Sequence, residues 1–328
     1  RDGVLDATCI QTAPLDIAAE YNFLIGAQHS GTSFNNHAAG VVGKVRIHDG
    51  VLTDSQVAAN YAAEAASFTN GAPAQDLVTQ PLHRYSFSLP ASSAVTGATV
   101  TDTGSANGTA QQADAVIKGN AGTVTSDGTQ ITIVNGSSAT QGYVDLPNGL
   151  LSSLSANNGG PGQVTFEMWV RVYATANWSE LMYFGNSSAG EITGPGGSFN
   201  GANGVVIPAQ VSDNSEQTGF RGVTGDRTIG ARLIGSRKHI VVTWDEANDK
   251  VRIYHEGVLV GDFAANAKMN AVSDVNNWLG RSGWSGDANA PAMYREFRIY
   301  DRVLADSEIR RNYLVGPDVV DATTLPWN

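Results

Sequence analysis

The side chains best suited to chemistry are two tryptophans in polar turns, Trp178 in TANWSEL and Trp284 in RSGWSGD. A sugar stacks its apolar face on an aromatic ring, while its hydroxyls need donors and acceptors beside that ring. Arg281, in the same segment as Trp284, supplies such a donor. The plain structural alternative is that both tryptophans pack at a core rim and that Arg281 serves an ion pair. Trp169, Trp244 and Trp278 stand inside apolar runs and read as core. The 6 histidines (His29, His37, His48, His83, His239 and His255) show no His-x-x-x-His or Glu-x-x-His spacing for a metal centre. No Gly-x-Ser-x-Gly elbow and no phosphate-binding glycine loop with its lysine is present. Glu180 in SELMYF and Asp245-Glu246 in a hairpin turn are not spaced as a catalytic pair. The sequons at Asn107, Asn135, Asn177 and Asn186 arise easily in an Asn- and Ser-rich chain, so no glycan is assigned to them.

Residues 238–313 supply the elements that would position these groups. His239 to Trp244 is an apolar, β-branched run, a polar turn follows, and Val251 to Tyr254 returns as a strand, which is a hairpin. Further strands are expected at 258–263, 277–279 and 296–300. A short helix opens at Asp306, placed as its cap, with Ile309 and Tyr313 on one face. Upstream, 82–87, 129–134 and 163–173 alternate as strands, with Met168 as core filler. Residues 185–230 lack periodicity and read as exposed loop followed by strands at 205–208 and 219–223.

The pattern recurs at the start of the chain. VRIHDGVLTDSQVAANY (45–61) aligns with FRIYDRVLADSEIRRNY (297–313), and Arg1 to Leu5 aligns with His255 to Leu259. The chain therefore reads as one whole repeat preceded by the end of another.

With the hairpin, WLGRS, EFRIYDRVLADSEI, LHRYSF, YVDLPNGL and VTFEMWVRV in view, the chain resembles the laminin-G-like domains of the concanavalin-A-like lectin/glucanase superfamily, of the bacterial extracellular type. The resemblance implies an all-β fold, an antiparallel β-sandwich (jelly roll), with a short helix ending each repeat. It divides the chain into the C-terminal part of a first domain (1–66), a linker (67–80), a complete domain (81–316) and a tail (317–328). The glucanase branch carries Glu-x-Asp-x-x-Glu on a strand, and this sequence has no such spacing, so no catalytic residue is assigned. The resemblance also brings in calcium, held by loop oxygens in many such sandwiches. Asp102 and Asn107 match, in degenerate form, the family's Asp-Ser-x-Gly-Asn-Gly loop, and Asp287 ends GWSGD. Ordinary turn roles would explain the same residues.

Composition narrows the partners. A net charge of −11 with 20 scattered Lys and Arg excludes a nucleic-acid footprint and disfavours anionic lipid. No apolar run is long enough to span a bilayer, so no membrane insertion is expected. A single cysteine, Cys9, rules out an intrachain disulfide framework, and a small apolar role in a strand suits it best. Low lysine, acidity and the resemblance favour a secreted or cell-surface setting.

The expected function is a non-catalytic adhesion or recognition module whose partner is a glycan or an extracellular protein. The alternative is a structural subunit of a fibre or surface layer, in which residues 1–66 complete the sandwich of another copy of the chain, and a glycan-cleaving enzyme ranks below both. Three arrangements of residues 1–66 stay open: completion by upstream chain, by a neighbouring molecule, or by packing on the second domain. Deleting residues 1–66 separates the two functions. A soluble sugar-binding domain remains under the first, and assembly measured by light scattering is lost under the second.

Overall fold

The computed structural model describes residues 28–30, 33–35, 45, 47–48, 51–69, 80–211, 218–230, 233–235 and 237–318. The chain divides between Gln75 and Asp76 into two compact units. Cys9, the 1–5 repeat segment, most of the 67–80 linker and most of the 317–328 tail lie outside the described residues.

The first unit contains an antiparallel pair, β1 (Gln28–Ser30) and β2 (Ser33–Asn35), and the helix α1 (Asp54–Thr69). Thr53 and Gln56 form a capping box. The Gln56 N–H donates to Thr53 Oγ1 at 3.3 Å, and the Thr53 N–H donates to Gln56 Oε1 at 2.8 Å. Val57 and Tyr61, four residues apart on one side of this helix, are 39% and 42% exposed.

The second unit is a sandwich of two antiparallel sheets. Sheet one runs β13 (Arg227–Ile229), β12 (Thr218–Gly222), β11 (Gly201–Gln210), β10 (Ser179–Ser187), β17 (Asn276–Leu279), β8 (Tyr143–Leu146), β5 (Ala115–Lys118) and β4 (Thr99–Val100). Sheet two runs β16 (Val258–Ala264), β15 (Lys250–His255), β14 (Arg237–Asp245), β9 (Gln163–Val172), β18 (Ala292–Tyr300), β7 (Ile131–Ile133) and β6 (Val124–Ser126). β3 (His83–Ser86) also pairs with β18.

Side chains alternate across each strand, which sorts them into layers. On β9, Val164, Phe166, Met168, Val170 and Val172 enter the core between the sheets. There Phe166 meets Phe184 of the opposite sheet edge to face, with ring centroids 5.4 Å apart. The intervening Thr165, Glu167 and Trp169 point the other way, toward the helix α2 (Asp306–Val315). Ile309 of α2 packs with Val241, Tyr254, Tyr300 and Leu304.

Under α2 lies a buried charge network. Glu167 accepts from His239 Nε2 at 2.8 Å, from Tyr300 Oη at 2.8 Å and from Asn312 Nδ2 at 3.0 Å. Arg298 Nη1 lies 3.3 Å from Glu167 Oε2, and the same guanidinium binds Glu296 and sits 4.5 Å over the Trp169 ring. Burial alone would raise the Glu167 pKa, but His239, Arg298 and Asn312 more than offset it and hold the carboxyl below its usual range.

The helix start differs from expectation. Ala305 is the N-cap, Asp306 is the first helical residue, and the Glu308 carboxylate accepts the Ala305 N–H at 2.8 Å. Asp306 instead accepts from Tyr254 Oη at 2.8 Å. The sequence placed the cap one residue late because Asp is a strong capping type, whereas here the strand beneath claims its side chain.

Removing Glu167 would leave the buried donors of His239, Tyr300 and Asn312 without their acceptor and Arg298 with Glu296 as its remaining counter-charge. Glu167→Ala should cost about 3–5 kcal/mol in urea unfolding, against about 1 kcal/mol for the cap substitution Glu308→Ala. Since the Glu167 pKa is depressed on folding, its contribution is present at neutral pH and is lost as pH falls below the ordinary carboxylate value.

Candidate functional site

A cleft of about 640 Å³ opens on the side of sheet one that faces away from the core. The alternation of β11 fixes that placement. Val205, Ile207 and Ala209 enter the core, whereas Val206 joins Tyr143, Tyr183, Phe199 and Trp278 on the outer face. The cleft is lined by Trp178, Glu180, Tyr183, Arg221, Asp226, Trp284 and Asp287, with a run of small residues from β11.

The floor is made by absent side chains. A Cβ on Gly201 would stand 2.9 Å from Tyr183 Oη and 3.1 Å from the Trp284 ring. One on Gly204 would stand 2.8 Å from the Phe184 carbonyl oxygen. The Trp284 ring therefore rests against bare backbone, and it meets Tyr183 edge to face at 6.1 Å.

Trp178 is the conformational exception. Its φ of 56° is in the left-handed region, which an indole-bearing residue seldom occupies, and its side chain is 47% exposed. The Arg221 guanidinium carbon lies 5.9 Å from its ring centroid. The Arg221 Nη2 donates to Asp226 Oδ2 at 2.7 Å. Trp284 is 38% exposed, so two indoles line one cleft with part of their surface open to solvent.

Glu180 comes into the cleft through irregular pairing. The register of β10 against β11 shifts on both sides of Glu180, the signature of a bulge that re-aims a side chain. Its Oε2 accepts the Gly283 N–H at 3.0 Å. Asp287 Oδ2 accepts from Ser282 Oγ at 2.9 Å. Burial pushes the Glu180 pKa well above the usual range, and the neighbouring Asp287 adds to the shift. Asp287 is itself raised by burial. Glu180 therefore favours its neutral form, an O–H donor as well as an acceptor.

The structure brings together Trp178, Trp284 and Asp287 but not the other residues singled out in the sequence. Arg281 is fully buried in a box of rings, with its guanidinium carbon 4.2 Å from the Tyr143 centroid, 4.4 Å from Trp278 and 4.8 Å from Phe199. Its Nη1 donates to the Gly194 carbonyl at 3.3 Å. It is a structural cation that anchors the 188–200 loop, and not a ligand contact. That loop, expected to be exposed throughout, buries Phe199 against Trp278.

The proposed calcium residues do not fit a cation. Asp102 is fully buried and accepts from His83 Nδ1 at 2.7 Å and from the N–H groups of Arg84, Gly104 and Ala113, so both oxygens are engaged. Asn107 lies in an exposed turn, and Asp287 stands apart from both in the cleft, its Oδ2 accepting from Ser282 Oγ. Among the described residues no group of three or more His, Cys, Asp or Glu side chains is assembled for a metal.

Glu180, Arg221 and Asp226 were missed as cleft residues. Glu180 reads in sequence as one polar residue at the head of an apolar strand, and the bulge that turns it outward leaves no compositional mark. Arg221 and Asp226 reach the cleft only because β12 pairs with β11.

An all-β lectin-type sandwich with an aromatic cleft on one sheet defines the class. The chain belongs to the concanavalin A-like lectin/glucanases superfamily, whose laminin-G-type family model matches residues 138–310. A comparison with curated protein sequences gives no match. Among solved structures the chain is similar to domain 4 of AbnA, an extracellular GH43 arabinanase from Geobacillus stearothermophilus solved with arabinotriose. That likeness has 17% identity and a TM-score of 0.48, covering 72% of this chain and 98% of that one. A mutant of Trypanosoma rangeli sialidase displaying trans-sialidase activity shows 14% identity over 76% of this chain and 35% of that one, with a TM-score of 0.50. The binding domain of Botulinum neurotoxin DC, in complex with rat synaptotagmin II, shows 14% identity over 72% of this chain and 51% of that one, with a TM-score of 0.39. The chain thus spans about a third of the sialidase's length, and these likenesses concern the fold alone. Among the described residues no helix is long and apolar enough to cross a membrane.

A carboxyl whose pKa is raised on folding weakens the folded state once pH exceeds its unfolded value, because the buried ionised form is penalised. Glu180→Gln should therefore leave the melting temperature nearly unchanged at pH 4 and raise it progressively from the ordinary pKa of 4.5 upward. Thermal melts across that range check the sign, and a variant less stable at pH 8 than the parent refutes the assignment.

Proposed function

We propose that this chain is a non-catalytic extracellular recognition module that binds a saccharide in the cleft of sheet one. The observation that carries the reading is the pair of half-exposed indoles, Trp178 and Trp284, on one cleft that also offers Glu180, Arg221 and Asp287. Exposed indole surface is costly in water, and a sugar ring covers it while its hydroxyls meet the polar groups alongside. The left-handed backbone at Trp178 supports the same reading, since a strained residue that places a ring in solvent gains nothing for the core. An acidic, lysine-poor chain and the family assignment favour work outside the cell. The absence of the glucanase Glu-x-Asp-x-x-Glu pattern favours recognition over cleavage.

Binding is measured by glycan array followed by isothermal titration of the best oligosaccharide. Trp178→Ala and Trp284→Ala should each weaken it by about ten-fold, matching about 1–2 kcal/mol of lost stacking. Gly201→Ala should weaken it as well by displacing the Trp284 ring. Binding that survives both tryptophan substitutions unchanged removes the cleft as the site, and release of reducing sugar from the bound glycan overturns the non-catalytic reading.

A further inference from the structure

The charges around the cleft limit which saccharide it takes. Glu180, Asp226 and Asp287 line it, against one lining cation, Arg221. That guanidinium is already held by Asp226 at 2.7 Å and leans over the Trp178 ring at 5.9 Å. An acidic sugar needs a free, forked cation for its carboxylate or sulfate. Here it would meet a cation already paired and further carboxyl groups beside it. A neutral sugar faces no such penalty. Its hydroxyls can donate to Asp287 and Asp226 and accept from Glu180 when that carboxyl is protonated.

We infer that the cleft selects uncharged saccharides and rejects uronic, sialic and sulfated ones, and that the Arg221–Asp226 pair is the gate that enforces this. The inference rests on the saccharide reading above and deepens it. Asp226 is the specificity residue. Its side chain is 61% exposed, it sits in the turn before β13, and it binds the Arg221 guanidinium and the Gly222 backbone N–H. Removing its charge leaves the fold intact and releases the guanidinium toward the cleft. The substitution is therefore expected to gain a ligand class.

The test uses the full chain on an array carrying neutral gluco-, manno-, galacto- and arabino-oligosaccharides beside oligogalacturonate, alginate oligomers, sialyl-lactose and heparin fragments. The expected result is binding to at least one neutral series, with the acidic probes about ten-fold or more weaker at 0.15 M salt. In Asp226→Asn the ratio of acidic to neutral binding should rise about five-fold or more, and Asp287→Asn should move it in the same direction. Arg221→Gln combined with Asp226→Asn should cancel that gain, since the released cation is then missing. Tryptophan-dependent binding that favours acidic probes overturns the selectivity while leaving the saccharide reading in place. An unchanged ratio in Asp226→Asn overturns the gate. No tryptophan-dependent binding to either class removes the saccharide reading and the selectivity with it.

Discussion

A carboxylate with no access to water sets the terms for the rest of this domain. Glu167 is fully buried, and an isolated ionised group there would cost several kcal/mol, so it must be surrounded by donors. Those donors come from β14, β18 and α2, in the form of His239, Arg298, Tyr300 and Asn312. A slip of one residue in any of these strands would turn the donor into the core and an apolar side chain toward the charge. The network therefore fixes the register of the central strands of sheet two and the seat of the helix upon them.

The outer face of sheet one solves a related problem with rings in place of carboxylates. Arg281 is enclosed by Tyr143, Trp278 and Phe199, which offer π-faces to a guanidinium. This box anchors the 188–200 loop beside the cleft, while glycines on β11 keep the neighbouring surface low. One part of the outer face is thus built up with rings, while the cleft opens over the small residues of β11. Both sheets keep one face for the common hydrophobic core and use the other for polar work.

The central strands were legible because a period of two with aromatic and β-branched residues is a strong local signal, while their assembly into a sandwich was legible through the resemblance to laminin-G-like domains. The helix, the buried Trp169, Trp244 and Trp278 and the half-exposed Trp178 and Trp284 were legible for the same reason, since neighbouring residue types separate a strand interior from a turn. Residues whose roles depend on what crosses the sheet were not legible. Arg281 sits in the same polar segment as Trp284, yet the left-handed turn at Gly280 after β17 breaks the alternation and puts it in a closed box with Trp278. Asp102 matches a loop pattern, but its partner His83 lies on another strand and uses up the oxygens that a cation would need. Glu180 required a bulge, which is a property of the pairing of two strands and not of either one. The 188–200 segment was read as loop because it is rich in glycine and serine, and one phenylalanine within it decides where it folds.

The backbone at Trp178 carries a consequence for how such a protein changes over generations. Glycine would relieve the left-handed strain and remove an indole from solvent in a single substitution, so the more comfortable protein is the one without the ring. Selection for folding alone would erode this position, and only selection for the surface it presents would hold it. Among descendants of this chain, a tryptophan retained here would mark lineages that still use the cleft, and a glycine those in which the domain has become a spacer.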